Sequence, residues 1–264
     1  MNILDTIIAK KKTEVKERKL TRSIADLEGM PFFKNKTFSF KEFLLRKDKT
    51  GIIAEFKRKS PSKGIINNCL FTDDVVKKYV KYGASSVSIL TDEEFFGGSL
   101  NDLLEIRKYD IPVLRKDFII DEYQVTESKA YGADIILLIA ACLDKNEVKK
   151  LSSLAKELKL NVLLEIHGEH ELDHICEEID VVGINNRDLK SFKVDLNHSV
   201  ALCNKIPSGF LKISESGIDD IATIQFLKQN GFNGFLIGEK FMREKDPGTT
   251  FRNFTEALNS QNPI

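Results

Sequence analysis

Short apolar runs recur along the chain, each followed by a longer amphipathic stretch. They are "GIIAEFK" at 51–57, "SSVSIL" at 85–90, "IPVLRK" at 111–116 and "DIILLI" at 134–139, then "NVLLEI" at 161–166, "DVVGIN" at 180–185, "FLKISE" at 210–215 and "GFLIGE" at 234–239. Segments such as "DDVVKKYVKYG", "NDLLEIRKY", "DEYQVTESKAYG", "KNEVKKLSSLAKELK", "GEHELDHICEE" and "DDIATIQFLKQNG" lie between them and read as helices. Gly83, Gly132 and Gly231 follow three of these and mark helix stops, because glycine enters the left-handed conformation that closes a helix. Strands this apolar need a sheet covered on both faces. Eight of them alternating with helices predict an α/β protein, a (β/α)8 TIM barrel; an open doubly wound sheet is the alternative.

The first 45 residues precede this rhythm. "NILDTIIAKKKTEVKERK" and "TFSFKEFLLRK", joined through "EGMPFF", read as extra helices that pack beside the first strand and help cover the barrel. A flap over the site is their alternative role. The expected organisation is one barrel domain over residues 1–264, with residues 1–45 as an N-terminal helical extension. At 264 residues one such domain is the simpler reading, although two smaller ones fit the length.

Strand alternation then assigns side chains to faces. Ile53, Glu55 and Lys57 share one face, and Ile52, Ala54 and Phe56 the other. If the second face meets the helices, Glu55 and Lys57 meet inside the barrel mouth, where such folds assemble their chemistry. A structural ion pair is the plainer account of those two charges. Further strand ends favour a cleft: Lys116 after Leu114, Glu165, Asn185 with Arg187, and Glu215 followed by Ser216. Lysine can protonate a developing oxyanion and glutamate can accept a proton. Arg187 offers a donor fork for carboxylate or phosphate, while Asn185 and Ser216 can orient hydroxyls. A Schiff base on Lys57 or Lys116 is an alternative use of an amine in such a site.

"ESGI" and "LIGEKF" each place a glycine just past a strand, where backbone donors can seat a phosphate. Gly217 and Gly238 are the glycines concerned, with Glu239 contributing its backbone. Leu90, Phe95, Phe96, Phe118, Leu137 and Ile139 offer an apolar wall for an aromatic ligand, with a core role as the alternative for each. His167, His170 and His174 gather around one predicted helix and read as surface or packing residues, and the isolated His198 reads as a turn or surface residue.

Composition narrows the classes. Forty basic and forty acidic side chains cancel, so no global field favours nucleic acid or an anionic membrane. The basic stretch "IAKKKTEVKERK" at 8–19 reads as a solvated amphipathic helix. Cys69, Cys142, Cys176 and Cys203 are widely spaced and read as reduced, buried or half-buried thiols. No signal peptide and no run of membrane-spanning length is apparent, so a cytoplasmic protein is expected. Without a Walker A loop, a dinucleotide fingerprint or HExxH, no metal and no redox cofactor is expected.

Together, "IIAEFKRKSPSKG", "SILTDEEFFGGS", "VLRKDFIID", "LLEIHGEHEL", "GINNRDL", "ISESGI" and "FLIGEKFM" resemble, in order from first strand to last, the indole-3-glycerol phosphate synthase family of tryptophan biosynthesis. The resemblance implies ring closure of 1-(2-carboxyphenylamino)-1-deoxyribulose 5-phosphate to indole-3-glycerol phosphate, with loss of CO2 and H2O. It implies an active site of Glu55, Lys57, Lys116, Glu165, Asn185, Arg187, Glu215 and Ser216. Ser60 matches a substrate-binding serine, and Gly217, Gly238 and Glu239 match phosphate-binding turns that Lys57 and Arg187 assist. The substrate's aryl carboxylate is expected near Lys57, with Lys116 as first acid. At Glu239 and Lys240 relatives often carry small or polar residues, so this chain departs from the pattern there. The resemblance also implies a monomer. Phosphoribosylanthranilate isomerase is a rival, but its cysteine and aspartate acid–base pair has no match at these strand ends. A Schiff-base aldolase and an inactive phosphate-metabolite binder are the other readings.

Overall fold

The computed structural model describes residues 3–61, 63–188 and 193–260. Ser62 and Leu189, which fall inside two of the motifs above, lie outside the described residues. Three helices come first: α1 (Ile3–Thr21), α2 (Ile24–Glu28) and α3 (Phe40–Leu45). The eight predicted strands all form, as β1 (Ile52–Phe56), β2 (Ser86–Leu90), β3 (Val113–Lys116), β4 (Ile135–Ile139), β5 (Asn161–Ile166), β6 (Val181–Asn185), β7 (Leu211–Glu215) and β8 (Gly234–Ile237). Each pairs in parallel with its sequence neighbours, and β8 returns to β1, so the sheet closes into a TIM barrel rather than an open sheet. The covering helices are α4 (Thr72–Lys81), α5 (Glu93–Phe96), α6 (Asn101–Ile106), α7 (Glu122–Ala130), α8 (Lys145–Glu157), α9 (Leu196–Cys203), α10 (Ile221–Gln229), α11 (Glu239–Met242) and α12 (Pro247–Ser260). The segment after β5 departs from expectation: Glu169–His174 is a 3₁₀ turn, not a helix of eleven residues.

Local signals fix where helices start. Asp144 and Glu147 form a reciprocal capping box at α8, and Asp92, Asp121, Asp195 and Asp220 cap their helices singly. Alternation along the strands separates two cores. Ile52, Ala54, Phe56, Val87, Ile89, Val162 and Leu164 pack outward against the helices. Ile53, Leu114, Ile135, Leu137, Leu163, Val181, Ile213 and Leu236 fill the barrel interior.

The N-terminal extension serves both ends of the barrel. Phe40 and Leu44 of α3 join the interior cluster from below. The Phe40 amide donates to Asn161 at the start of β5 (3.1 Å) and the Phe38 amide to Asp134 before β4 (2.9 Å), so α3 stoppers the amino-terminal end. Gly234, opening β8, leaves room for that stopper, because a methyl there would lie 2.5 Å from the Leu44 side chain. Helix α1 runs to the opposite rim, where Ile3, Leu4 and Ile7 face the cavity at the strand carboxyl ends.

Candidate active site

The cavity at that rim is built by the inward-facing strand positions. Ile53, Glu55 and Lys57 follow one another up β1, and the Lys57 ammonium lies 2.8 Å from Glu55 Oε1. Leu114 and Lys116 follow on β3, Leu163 and Glu165 on β5, and Ile213 and Glu215 on β7. The four strands bring their charges together: Lys116 Nζ donates to Glu165 Oε2 (2.7 Å) and to Glu215 Oε2 (2.8 Å). From β6, Asn185 Nδ2 donates to the other oxygen of Glu165 (3.1 Å), and Asn185 Oδ1 accepts the Arg187 amide (3.0 Å). Ser60, Leu90, Phe118, Leu137, Arg187, Ser216, Gly217, Gly238 and Glu239 line the same cavity.

Electrostatics separates the two glutamates that share Lys116. Burial opposes the ammonium, but Glu165, Glu215 and Glu55 outweigh it and hold Lys116 above the ordinary lysine value. Burial also disfavours an ionised Glu165, yet Lys116 and His167 keep that carboxyl well below its usual range. For Glu215 burial prevails over Lys116, with Glu165 and Glu55 adding repulsion, and its pKa rises to about 7. The site thus holds a protonated lysine, an ionised carboxylate and a carboxyl that titrates near neutrality, the equipment for moving protons in both directions.

Two turns close the rim. Ser216 and Gly217 both have left-handed φ values, 71° and 68°. Asn186 holds this turn by donating to the Ser216 carbonyl (2.7 Å) and the Ser214 hydroxyl (2.9 Å). Gly217 is required twice over, since a methyl there would also lie 2.5 Å from Val194. Gly238 has an ordinary φ of −127°; its glycine serves space, because a methyl would lie 2.4 Å from Glu55 Oε1. The Glu239 side chain reaches across to Arg187 (3.6 Å) and Lys63 (3.7 Å).

A sequence-family model described as indole-3-glycerol phosphate synthase matches residues 4–254. The chain belongs to the indole-3-glycerol phosphate synthase family. A protein of that name from Bacteroides thetaiotaomicron is 47% identical over 258 residues, covering 97% of this chain and 99% of its own. Another from Polynucleobacter asymbioticus is 41% identical, covering 94% and 97%. Among solved structures, tryptophan synthase subunit alpha from Legionella pneumophila superposes with a TM-score of 0.61 at 16% identity, covering 84% of this chain and 97% of its own. The 3-hexulose-6-phosphate synthase from Salmonella typhimurium gives 0.58 at 13%, covering 80% and 99%. These last two likenesses show the barrel fold alone.

In this indole-3-glycerol phosphate synthase family member, three expectations need correction. Phe95 does not line the cavity, whereas Phe96 does, 6.2 Å from the Phe118 ring centre. The reason is that residues 93–96 are helical, so successive side chains turn by about 100° and only one of the two rings faces in. The basic N-terminal helix is not simply solvated. Lys11 is 1% exposed, and its ammonium sits 2.8 Å from Glu14, 2.8 Å from Asp92 and 2.9 Å from Asp117. His167 does not belong with the other histidines: its half-buried side chain turns toward the strand-end charges, with Nε2 3.2 Å from Glu165 Oε1. The exposed His170 and the packed His174 match the reading given them.

The signal for His167 was present. Glu165-Ile166-His167 has the same spacing as Glu55-Phe56-Lys57, so alternation alone places both side chains on one face. Gly183 was also overlooked. It is an inward position of β6, and a methyl there would lie 2.3 Å from Glu215 Oε1, so the glycine makes the space that the carboxylate occupies.

Proposed function

We propose that this cavity binds 1-(2-carboxyphenylamino)-1-deoxyribulose 5-phosphate and closes it to indole-3-glycerol phosphate, releasing CO2 and H2O. The observation that carries the reading is Lys116 held between Glu165 and Glu215, in one cavity with the Lys57–Glu55 pair. A lysine kept cationic by two carboxylates is a general acid already aimed at the place where a carbonyl oxygen gains charge.

Leu90, Phe96, Phe118, Leu137 and Ile139, with Ile3, Leu4 and Ile7 of α1, supply the apolar wall against which the substrate's ring lies. Lys57 faces the aryl carboxylate. Arg187 and the backbone at Gly217, Gly238 and Glu239 take the phosphate, and the Glu239 side chain gives up Arg187 as that dianion arrives. Ser60 and Ser216 orient polar groups of the ligand between these ends. Fixing both ends bends a flexible chain and brings the carboxylate-bearing ring carbon to the ribulose carbonyl, which removes much of the entropic barrier to closure.

The reaction then runs in two stages. The ring carbon attacks the carbonyl, and Lys116 gives its proton to the oxygen, so a hydroxyl forms in place of an alkoxide. The carboxylate leaves as CO2, and its bonding electrons return to the ring. Glu165 takes the proton from the aryl nitrogen while Lys57 protonates the departing hydroxyl, which leaves as water; a proton then passes from the methylene carbon beside the nitrogen back to the nitrogen, by way of Glu165, and completes the indole. Asn185 orients Glu165, and Glu55 and Glu215 restore protons to their lysines.

The family reading carries a monomer, and four unpaired cysteines suit a reducing cytoplasm. Among the described residues no helix is long and apolar enough to cross a membrane. Purified protein given the carboxyphenylamino-deoxyribulose phosphate should develop indole fluorescence. A protein that binds the compound and leaves it unchanged would refute the assignment.

A further inference from the structure

Glu165 and Glu215 touch the same ammonium at nearly equal distances, yet their second oxygens keep different company. Glu165 Oε1 accepts from Asn185 and has His167 Nε2 3.2 Å away, a charge contact rather than an aligned hydrogen bond. Glu215 Oε1 is buried against the backbone of Gly183 and, among the described residues, has no hydrogen-bond partner. His167 is itself held from behind. Its backbone amide donates to Glu171 Oε2, ring Nδ1 lies 3.8 Å from the same oxygen, and its carbonyl meets His198 Nε2 at 3.0 Å.

We propose that His167 is a positioning residue for the ring closure: with Asn185 it fixes Glu165 as the base, leaving Glu215 to keep the proton. The inference rests on the proposed function of this site. It names the feature that divides labour between two otherwise similar carboxylates.

The charges around the ring agree with the geometry. Burial works against an imidazolium, but Glu165 and Glu171 outweigh it and raise His167 to about 9. A cationic ring beside Glu165 opposes protonation of that carboxylate; Glu215 has no such neighbour. The other titratable groups facing this cluster do not reverse the effect. Lys116 acts in the same direction through Glu165. Cys142, beyond β4, is pushed up to about 12 by burial and by Glu165 and Glu171, so it carries no charge at neutral pH. His170 is exposed and 3.8 Å from Glu171, and the His198 ring of α9 meets the His167 carbonyl rather than its ring.

The test compares pH profiles of kcat and kcat/KM for the wild-type chain, His167→Gln and His167→Phe on the carboxyphenylamino-deoxyribulose phosphate. Loss of the ring should lower kcat roughly 10- to 100-fold, as misplacement of a catalytic group does, with KM changed less than about threefold. The acid limb of kcat/KM should move toward neutrality by about one pH unit as Glu165 becomes easier to protonate. Glu171→Gln, which frees the ring without altering the cavity wall, should move the limb the same way by less and covers the case in which the ring variants fail to fold. Acid limbs that coincide with wild type in every folded variant would overturn the inference, as would lost turnover matched wholly by lost folded protein. No product from the wild-type chain would instead remove the functional reading beneath it.

Discussion

Two lysines in this protein are buried among carboxylates, and they do different work. Lys11 comes from α1 and meets Glu14, Asp92 and Asp117; Lys116 comes from β3 and meets Glu165 and Glu215. The two sites are neighbours in the chain, since Lys116 serves one and Asp117 the other. Around Lys11 the acids have fixed duties: Asp92 caps α5, and Asp117 also binds Thr91 (2.7 Å) and Arg115 (3.1 Å). Burial would raise Asp117, but Lys11 and Arg115 hold it far below the carboxylate range. Around Lys116 one acid titrates near 7 and leaves an oxygen without a hydrogen-bond partner among the described residues. A buried ammonium surrounded by satisfied acids is a fastener, whereas one sharing protons with an unsatisfied acid in a cavity can react.

Removing each ammonium should break the comparison in different observables. Lys116→Met should keep its fold and lose roughly 10²- to 10⁴-fold in kcat, the range for a general acid; near-normal indole-3-glycerol phosphate formation would refute its role. Lys11→Met should keep its acid and base groups and lose stability instead, about 3–5 kcal/mol for stranding buried charges. Because α1 carries Ile3, Leu4 and Ile7 into the cavity, its KM should rise more than its kcat falls. A denaturation midpoint equal to wild type would show that Lys11 fastens nothing.

Acid and base sharpen the contrast further, because Asp117 in one site and Glu215 in the other are displaced in opposite directions. Asp117 is depressed, so its contribution to stability is present above about pH 4, its unfolded value, and is lost as pH falls through the folded value. Glu215 is raised, so the folded state holds an extra proton between about 4.5 and 7, and stability falls as pH rises through that window. His167 is raised as well, and its contribution is present below about 6.5 and lost as pH rises through about 9. Urea midpoints measured from pH 4.5 to 7 should therefore decline in the wild-type chain and flatten in Glu215→Gln. A Glu215→Gln profile parallel to wild type would mean that Glu215 is ionised throughout.

Much of this was legible in the sequence, and what was not has a common cause. Alternation is a local property, so Glu55 with Lys57, and the inward aim of Lys116, Glu165 and Glu215, followed from parity alone once the barrel was assumed. Barrel closure followed from eight apolar strands alternating with helices. Lys11 looked like one solvated base among many, because its partners Asp92 and Asp117 lie some eighty to a hundred residues away and no local pattern links them. Phe95 and Phe96 could not be told apart in the sequence, because which ring faces the cavity depends on the four-residue helix that they end. Gly183 sat in an unremarked strand position, and its meaning depends on a side chain from the neighbouring strand.

That glycine supplies the gentlest test. Lys116 reaches Glu215 only because the carboxylate lies against bare backbone at Gly183, whereas the Lys11 site depends on no such gap. Gly183→Ala places a methyl 2.3 Å from the present position of Glu215 Oε1, also 3.2 Å from Leu163 Cδ1, so the carboxylate must move. Overpacking of this kind costs about 1–3 kcal/mol, and the displaced Glu215 should lower kcat while the Lys11 cluster and the seat of α1 stay as they are. Stability reduced by that amount, together with an altered neutral-pH limb of kcat, would place the effect at Glu215. If Gly183→Ala matched wild type in both, Glu215 would have an alternative seat and its pairing with Lys116 would not matter to turnover.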